Sequence, residues 1–129
     1  MKTLLRVKTA IEAFVKAGDN RDVAVLENIL HAGFQNIQDG FFDENGIFVF
    51  SKSDYIELIR TKKFGGSPRS IAYNSIEQTG NIATVQVKLE SQYLIFHSLI
   101  VCVQENEHWK IINNIPTIAV NIPQQDVIC

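Results

Sequence analysis

The sequence predicts an α+β domain, with three amphipathic helices in its first half and a long antiparallel sheet filling the second. Two observations carry this prediction. Apolar residues recur every three to four positions through residues 4–30 and 55–59, the spacing of a helix with one buried face, and beyond Pro68 the period falls to two, the spacing of a strand. Clusters of Gly, Asn, Asp and Pro separate the periodic runs, as turns require.

The first helix carries Leu4, Val7, Ile11, Phe14 and Val15 on one side and Lys8, Glu12 and Lys16 on the other, and should stop near Gly18. Asp19 or Asn20 can cap a second helix, Asp22 suits its positive end, and Val23, Leu26, Ile29 and Leu30 form its apolar stripe before His31 and Gly33 end it. Phe34 to Asp39 and Ile47 to Phe50 read as a hairpin around the turn-forming Asp43-Glu44-Asn45-Gly46. A third helix begins at Ser51, whose hydroxyl and the carboxylate of Asp54 form a capping box. It carries Tyr55, Ile56, Leu58 and Ile59, and it ends with Lys62 and Lys63 before Gly65-Gly66-Ser67-Pro68.

The remaining residues are strands. Ala83, Val85, Val87 and Leu89 alternate with Thr84, Gln86, Lys88 and Glu90, which describes a strand with one wet face. Ser70 to Gln78 should pair with it across Thr79-Gly80-Asn81, and Tyr93 to Val103 should pair with Trp109 to Ile115 around Glu105 to Glu107. The order is helix, helix, strand, strand, helix and four strands, with no repeat or linker, so residues 1–129 read as one domain. Trp109, Phe14 and Leu26 are expected in its core.

The strand from Tyr93 to Val103 is apolar in both of its alternating sets, and a strand dry on both faces must be covered twice. A homodimer packed sheet to sheet is the economical cover. The alternative is that the apolar tail, Ile118 to Ile128, folds back across the outer face.

Composition excludes several function classes. At 129 residues, 46% hydrophobic and 20% charged, the chain has the make-up of one ordered globular domain. Its formal net charge of -2 offers no electropositive footprint, so nucleic acid is not an expected partner. Arg6 and Lys8 break the only signal-like run, and no stretch approaches the roughly 20 apolar residues of a membrane span, so the expected location is the cytoplasm, with no membrane partner. Cys102 and Cys129 read as free thiols, the first a small core residue.

The element order, with the segments AFVKAGDNRDVAVLENIL, FFDENGIFVFSKSDYIELI and VQENEHWKIINNI, resembles the nuclear transport factor two-like superfamily, and within it the "putative lumazine-binding" and polyketide-cyclase-like (SnoaL-like) groups. The resemblance spans Leu4 to Ile115. It implies a cystatin-like cone, α-α-β-β-α-β-β-β-β, in which a curved, mostly antiparallel six-stranded sheet wraps the helices, leaves a pocket at its wide end and dimerises through its face. Activity does not follow, because this fold hosts isomerases, dehydratases, cyclases and non-enzymatic members.

The residues themselves restrict the chemistry. No phosphate-cradling Gly loop or nucleophile elbow is present, His31, His97 and His108 are scattered, and neither cysteine stands at ligand spacing from them, so no metal or other cofactor is expected. The superfamily resemblance places a general-base carboxylate at about Asp39. It also implies, for a ketosteroid-isomerase-like site, a tyrosine on the first helix and an acid on a late strand, where this chain has Ile11 and the pair His97 and Ser98. Steroid isomerisation of that type is therefore disfavoured. A dehydratase-like pairing survives, in which Asp39 or His97 takes a proton and the other residue, or Tyr73, assists the leaving oxygen. Equally, His97 can be a hydrogen-bonded core or interface residue, and Asp39 can simply open the turn at Gly40.

Phe14, Tyr55, Tyr73 and Trp109 are the candidate ligand-binding rings, although Trp109 with Ile111 equally suits a core anchor. Three functions stay open: a module binding a small apolar molecule in the cone, a cofactor-independent lyase or isomerase using Asp39, and a structural dimer with a filled cone.

Overall fold

The computed structural model describes residues 2–121. Its elements run α1 (Lys2–Asn20), α2 (Val23–Ile29), β1 (Leu30–Phe41), β2 (Glu44–Ser51), α3 (Lys52–Arg60), β3 (Ser70–Thr79), β4 (Ile82–Glu90), β5 (Leu94–Glu105) and β6 (His108–Val120). The six strands form one open sheet in the order β2-β1-β6-β5-β4-β3. Every neighbouring pair is antiparallel except β1 and β6, which run parallel.

In α1, Val7, Ala10, Ile11, Phe14, Val15 and Ala17 are buried, the stripe that the helical spacing defines, whereas Leu4 is exposed. The helix runs past Gly18 and stops at Arg21, whose φ of 52° is left-handed and whose N–H donates to the Gly18 carbonyl. Asp22, rather than Asp19 or Asn20, caps α2 by accepting from the Val25 N–H. That helix is shorter than its apolar stripe suggests. Leu30 is already extended and is fully buried as the first residue of β1, paired with Ile111 of β6. His31 and Gly33 therefore belong to β1 rather than to a helix end, because pairing with β6 seals Leu30 more completely than another helical turn would.

The first hairpin turns at Phe42-Asp43, two residues earlier than the Asp-Glu-Asn-Gly cluster suggests. A bulge between Asp39 and Phe41, with Gly40 at φ 93°, shifts the register and brings Phe41 opposite Glu44. The capping box of α3 forms as expected: Ser51 Oγ accepts from the Asp54 N–H and Asp54 Oδ2 accepts from the Ser51 N–H. The β3–β4 and β5–β6 hairpins turn at Gly80-Asn81 and Asn106-Glu107, all within the segments expected. Further bulges between Tyr73 and Ser75 and between Val101 and Cys102 bend the sheet around the helices.

Register decides which face of each strand is inside. Val85 pairs with Ile100 and Ala83 with Cys102, so the one dry set of β4 shares its face with Leu94, Phe96, Ser98, Ile100 and Cys102 of β5. Ala83, Val85, Val87, Ile100 and Cys102 are all buried there, against Phe14, Leu26, Ile56, Ile59, Trp109 and Ile111. The other set of β5, Ile95, His97, Leu99, Val101 and Val103, lies on the outer face. Ile118 to Val120 continue β6 beside β5 instead of folding back across the sheet, and residues 122–129, with Cys129, lie outside the described residues. Among the described residues, no helix is long and apolar enough to cross a membrane.

A polar tie closes the helical layer over the sheet. Asp19 accepts from Arg69 twice, from the backbone N–H at 3.0 Å and from Nε at 2.6 Å, and Arg69 Nη2 also donates to the Val15 carbonyl. Arg21 reaches the same loop, donating to the carbonyls of Phe64 and Gly65. Gly65 has φ 78°, and a Cβ there would run into the Gly18 carbonyl oxygen, so the α3–β3 loop passes the end of α1 only because this position is glycine.

Candidate functional site

Between the helices and the inner sheet face the structure holds a cavity of about 440 Å³, within the range of small-molecule sites. Phe14 of α1, Tyr55 and Ile59 of α3, and Phe64, Gly65 and Arg69 of the following loop make its wall. Leu89, Phe96, Ser98, Asn114, Pro116 and Ile118 carry the inner sheet face across β4, β5 and β6, and Asn36 and Gln38 extend it onto β1. Asp39, Gly40, Phe42 and Tyr93 stand at the mouth, where Asp39, Phe42 and Tyr93 are exposed.

The wall is aromatic. Tyr55 meets Phe34 edge-on at 5.3 Å and lies 5.9 Å from Phe64 and 6.1 Å from Phe14. Burial, the largest effect, raises the Tyr55 pKa above its usual value; Arg69 opposes this shift and Asp19 adds to it. The hydroxyl is therefore a neutral group able to donate or accept. The guanidinium of Arg69, held by Asp19, lies 5.0 Å from the centre of the Phe96 ring, and the pair brings little net charge to the wall.

The floor is polar within an apolar surround. Asn36, Gln38, Ser98 and Asn114 are all buried. Parallel pairing sets Asn36 beside Asn114, and Gln38 follows two residues along the same face of β1. The three amides form a chain: Asn114 Nδ2 donates to Asn36 Oδ1 at 2.7 Å, Asn36 Nδ2 to Gln38 Oε1 at 2.8 Å, and Gln38 Nε2 to the Gly40 carbonyl at 3.0 Å. Asn114 Oδ1 has no partner among the described residues.

The expected site residues divide. Phe14 and Tyr55 line the cavity, and Asp39 stands at its mouth. His97 does not join Asp39. It sits opposite Lys88 and Thr117 on the outer sheet face, exposed, because the inward set of β5 is the one that continues the dry face of β4. The Asp39–His97 pairing is thereby corrected. Tyr73 lies on β3 with Lys8 Nζ 5.0 Å from its ring centre and does not line the cavity. Its hydroxyl is pushed up to about 12, first by burial and then by the nearby charge of Glu12. Trp109 is a buried core residue away from the cavity, as its anchor reading has it. Cys102 is buried and free, its thiol pushed up to about 12 by burial. Among the described residues, no group of three or more His, Cys, Asp or Glu side chains could hold a metal ion.

Sequence reasoning missed the amide floor and Arg69. The signal for Asn36 and Gln38 was their parity with Phe34 on β1, where polar residues at inward positions mark either a network or a site. Asn114 was hidden by the β6 bulge at Ile112, which breaks the alternation just before it.

Three helices against a bent, open six-stranded sheet make this an α+β protein of the nuclear transport factor two-like superfamily. Within it, residues 3–115 match the family described as "Putative lumazine-binding", and the chain belongs to that family. No curated protein matches it. Among solved structures, it resembles an NTF2-like protein of unknown function from Silicibacter pomeroyi, at 17% identity and a TM-score of 0.80, covering 92% of this chain and 97% of that one. An NTF2-like protein of unknown function from Shewanella baltica is similar at 12% identity and a TM-score of 0.78, covering 92% of this chain and 94% of that one. A protein of unknown function with a cystatin-like fold from Nostoc punctiforme follows at 15% identity and a TM-score of 0.72, with 92% of each chain covered. At these identities the likeness is one of fold.

Proposed function

We propose that this protein binds a small, flat, largely apolar molecule inside the cone. The observation that carries the reading is the cavity of about 440 Å³, walled by Phe14, Tyr55, Phe64 and Phe96 over a floor of buried amides. The family's description supports a heterocycle of the lumazine kind as the first probe. Titration with lumazine, and separately with the apolar dye anilinonaphthalene sulfonate, should give saturable fluorescence changes. Ser98→Leu, which puts bulk on the floor, should weaken binding about tenfold or more while folding stability holds within about 1 kcal/mol. Absence of saturable binding by both probes overturns the reading.

Use of Asp39 as the base of a cofactor-independent lyase or isomerase draws less support. Its carboxylate is exposed at the mouth, and the histidine that would have assisted it lies on the other face of the sheet. A filled cone is at odds with the hollow present.

We also infer that two copies pair through the outer sheet face. Val49 pairs with Ile37 and Leu99 with Ile115, and Ile37 and Ile115 are the positions that follow the paired Asn36 and Asn114 of β1 and β6, which extends an apolar row over four strands. Ile47 and Val49 are 68% and 51% exposed in the single chain. Sedimentation at micromolar concentration should show a dimer, and Leu99→Asp should give a monomer with an intact fold. A wild-type monomer at that concentration sinks the inference.

A further inference from the structure

We infer that the cavity floor selects ligands presenting an N–H beside a carbonyl, as the edge of a lactam or imide ring does, with Asn114 as the residue that reads it. The inference rests on the cavity being a ligand site. It comes from the one-way direction of the amide chain. The Gly40 carbonyl can only accept, so Gln38 must turn Nε2 toward it, which leaves Oε1 as the group facing Asn36. Asn36 must then offer Nδ2 to that oxygen and present Oδ1 to Asn114, and Asn114 must in turn offer Nδ2. Reversing any one amide would set donor against donor or acceptor against acceptor. A backbone carbonyl at the rim thus fixes the orientation of a side chain on the neighbouring strand.

The chain has to end on an acceptor. That acceptor is Asn114 Oδ1, buried and without a partner among the described residues, on a residue that is only 8% exposed and lines the cavity. Buried polar atoms in native proteins are almost always paired, and one left over at a ligand cavity points to a donor supplied from outside the chain. A ligand carbonyl or carboxylate placed here would meet oxygen with oxygen. An N–H would complete the chain. The Asn114 amide keeps a second N–H beyond the one given to Asn36, which can take a carbonyl adjacent to the donating nitrogen. Ser98, on the same floor, can donate or accept and leaves the requirement unchanged. The aromatic wall of Phe14, Tyr55, Phe64 and Phe96 favours a planar ring as the bearer of this edge.

The test uses lumazine, whose ring carries N–H groups beside carbonyls, and 1,3-dimethyllumazine, in which both nitrogens are blocked. Wild-type protein should prefer lumazine by about tenfold or more, since the methylated ring leaves the acceptor unpaired. In Asn114→Leu that preference should disappear. Equal binding of the two rings by wild-type protein overturns the inference, as does a preference that persists in Asn114→Leu, which would assign it to the bulk of the methyl groups. Binding of anilinonaphthalene sulfonate without either lumazine also overturns it while leaving the cavity a ligand site. Failure of all three probes removes the ligand site itself. Where Asn114→Leu folds poorly, Asn114→Ala takes its place: loss of the lumazine preference there supports the inference, and its persistence overturns it.

Discussion

Asp19→Ala should destabilise the protein by about 3–5 kcal/mol, the range seen when one member of a buried ion pair is removed. Asp19 and Arg69 side chains are only 9% and 14% exposed, and the carboxylate takes both the backbone N–H and the Nε of Arg69. Without it, the guanidinium would stay beneath α1 with only the Val15 carbonyl and the face of Phe96 as partners. The loss comes mainly from the stranded charge and not from the attraction between the pair. The double variant Asp19→Ala, Arg69→Met should therefore recover much of the stability, because an apolar side chain of similar length suits the same space. Urea denaturation of the four proteins measures both effects. A single-variant loss below about 1 kcal/mol would show the pair to be solvated and its part in the cavity wall minor.

Trp109→Ala should cost about 3–5 kcal/mol, through lost burial and the cavity left behind. The indole is 6% exposed in the main core, near Ile111 and Leu26 in one buried cluster. Its Nε1 has no partner among the described residues, so Trp109→Phe, which keeps a ring and deletes that donor, should lose far less than the alanine variant. The comparison separates packing from polarity. Denaturant midpoints for the two variants provide the measurement, with an alanine loss below about 1 kcal/mol as the contrary outcome.

Most of the fold was legible because it depends on periodicity and on local chemistry. The Ser51–Asp54 capping box, the α1 stripe and the alternation of Ala83 to Leu89 are short-range signals, and each appears where the sequence puts it. Boundaries were lost where a distant partner outweighed local propensity, as at Leu30, drawn into β1 by Ile111. The site was less legible. Residue parity on β5 is ambiguous when both sets are apolar, and only the pairing of Val85 with Ile100 settles that His97 faces out. The floor amides meet through a parallel pairing and a bulge, neither of which leaves a local trace. Aromatic residues drew attention in the sequence, while the asparagines that furnish the polar chemistry of the cavity did not.

The parallel pairing of β1 with β6 also sets an order of events. Asn36 and Asn114 touch although 78 positions separate them, and β1 otherwise has only β2 as a strand neighbour. During synthesis, α1, α2, β1, β2 and α3 leave the ribosome long before the strand that joins them to β5, β4 and β3. The apolar faces of Leu30 and Phe34 then have no sheet to lie on until β6 emerges, and long-range closure of this kind is slow and exposes sticky surface. Among the described strands, β6 is made after the other five and is the one that joins the two halves of the sheet, so a nascent chain stalled before His108 would hold two unjoined hairpin systems and no floor for the pocket.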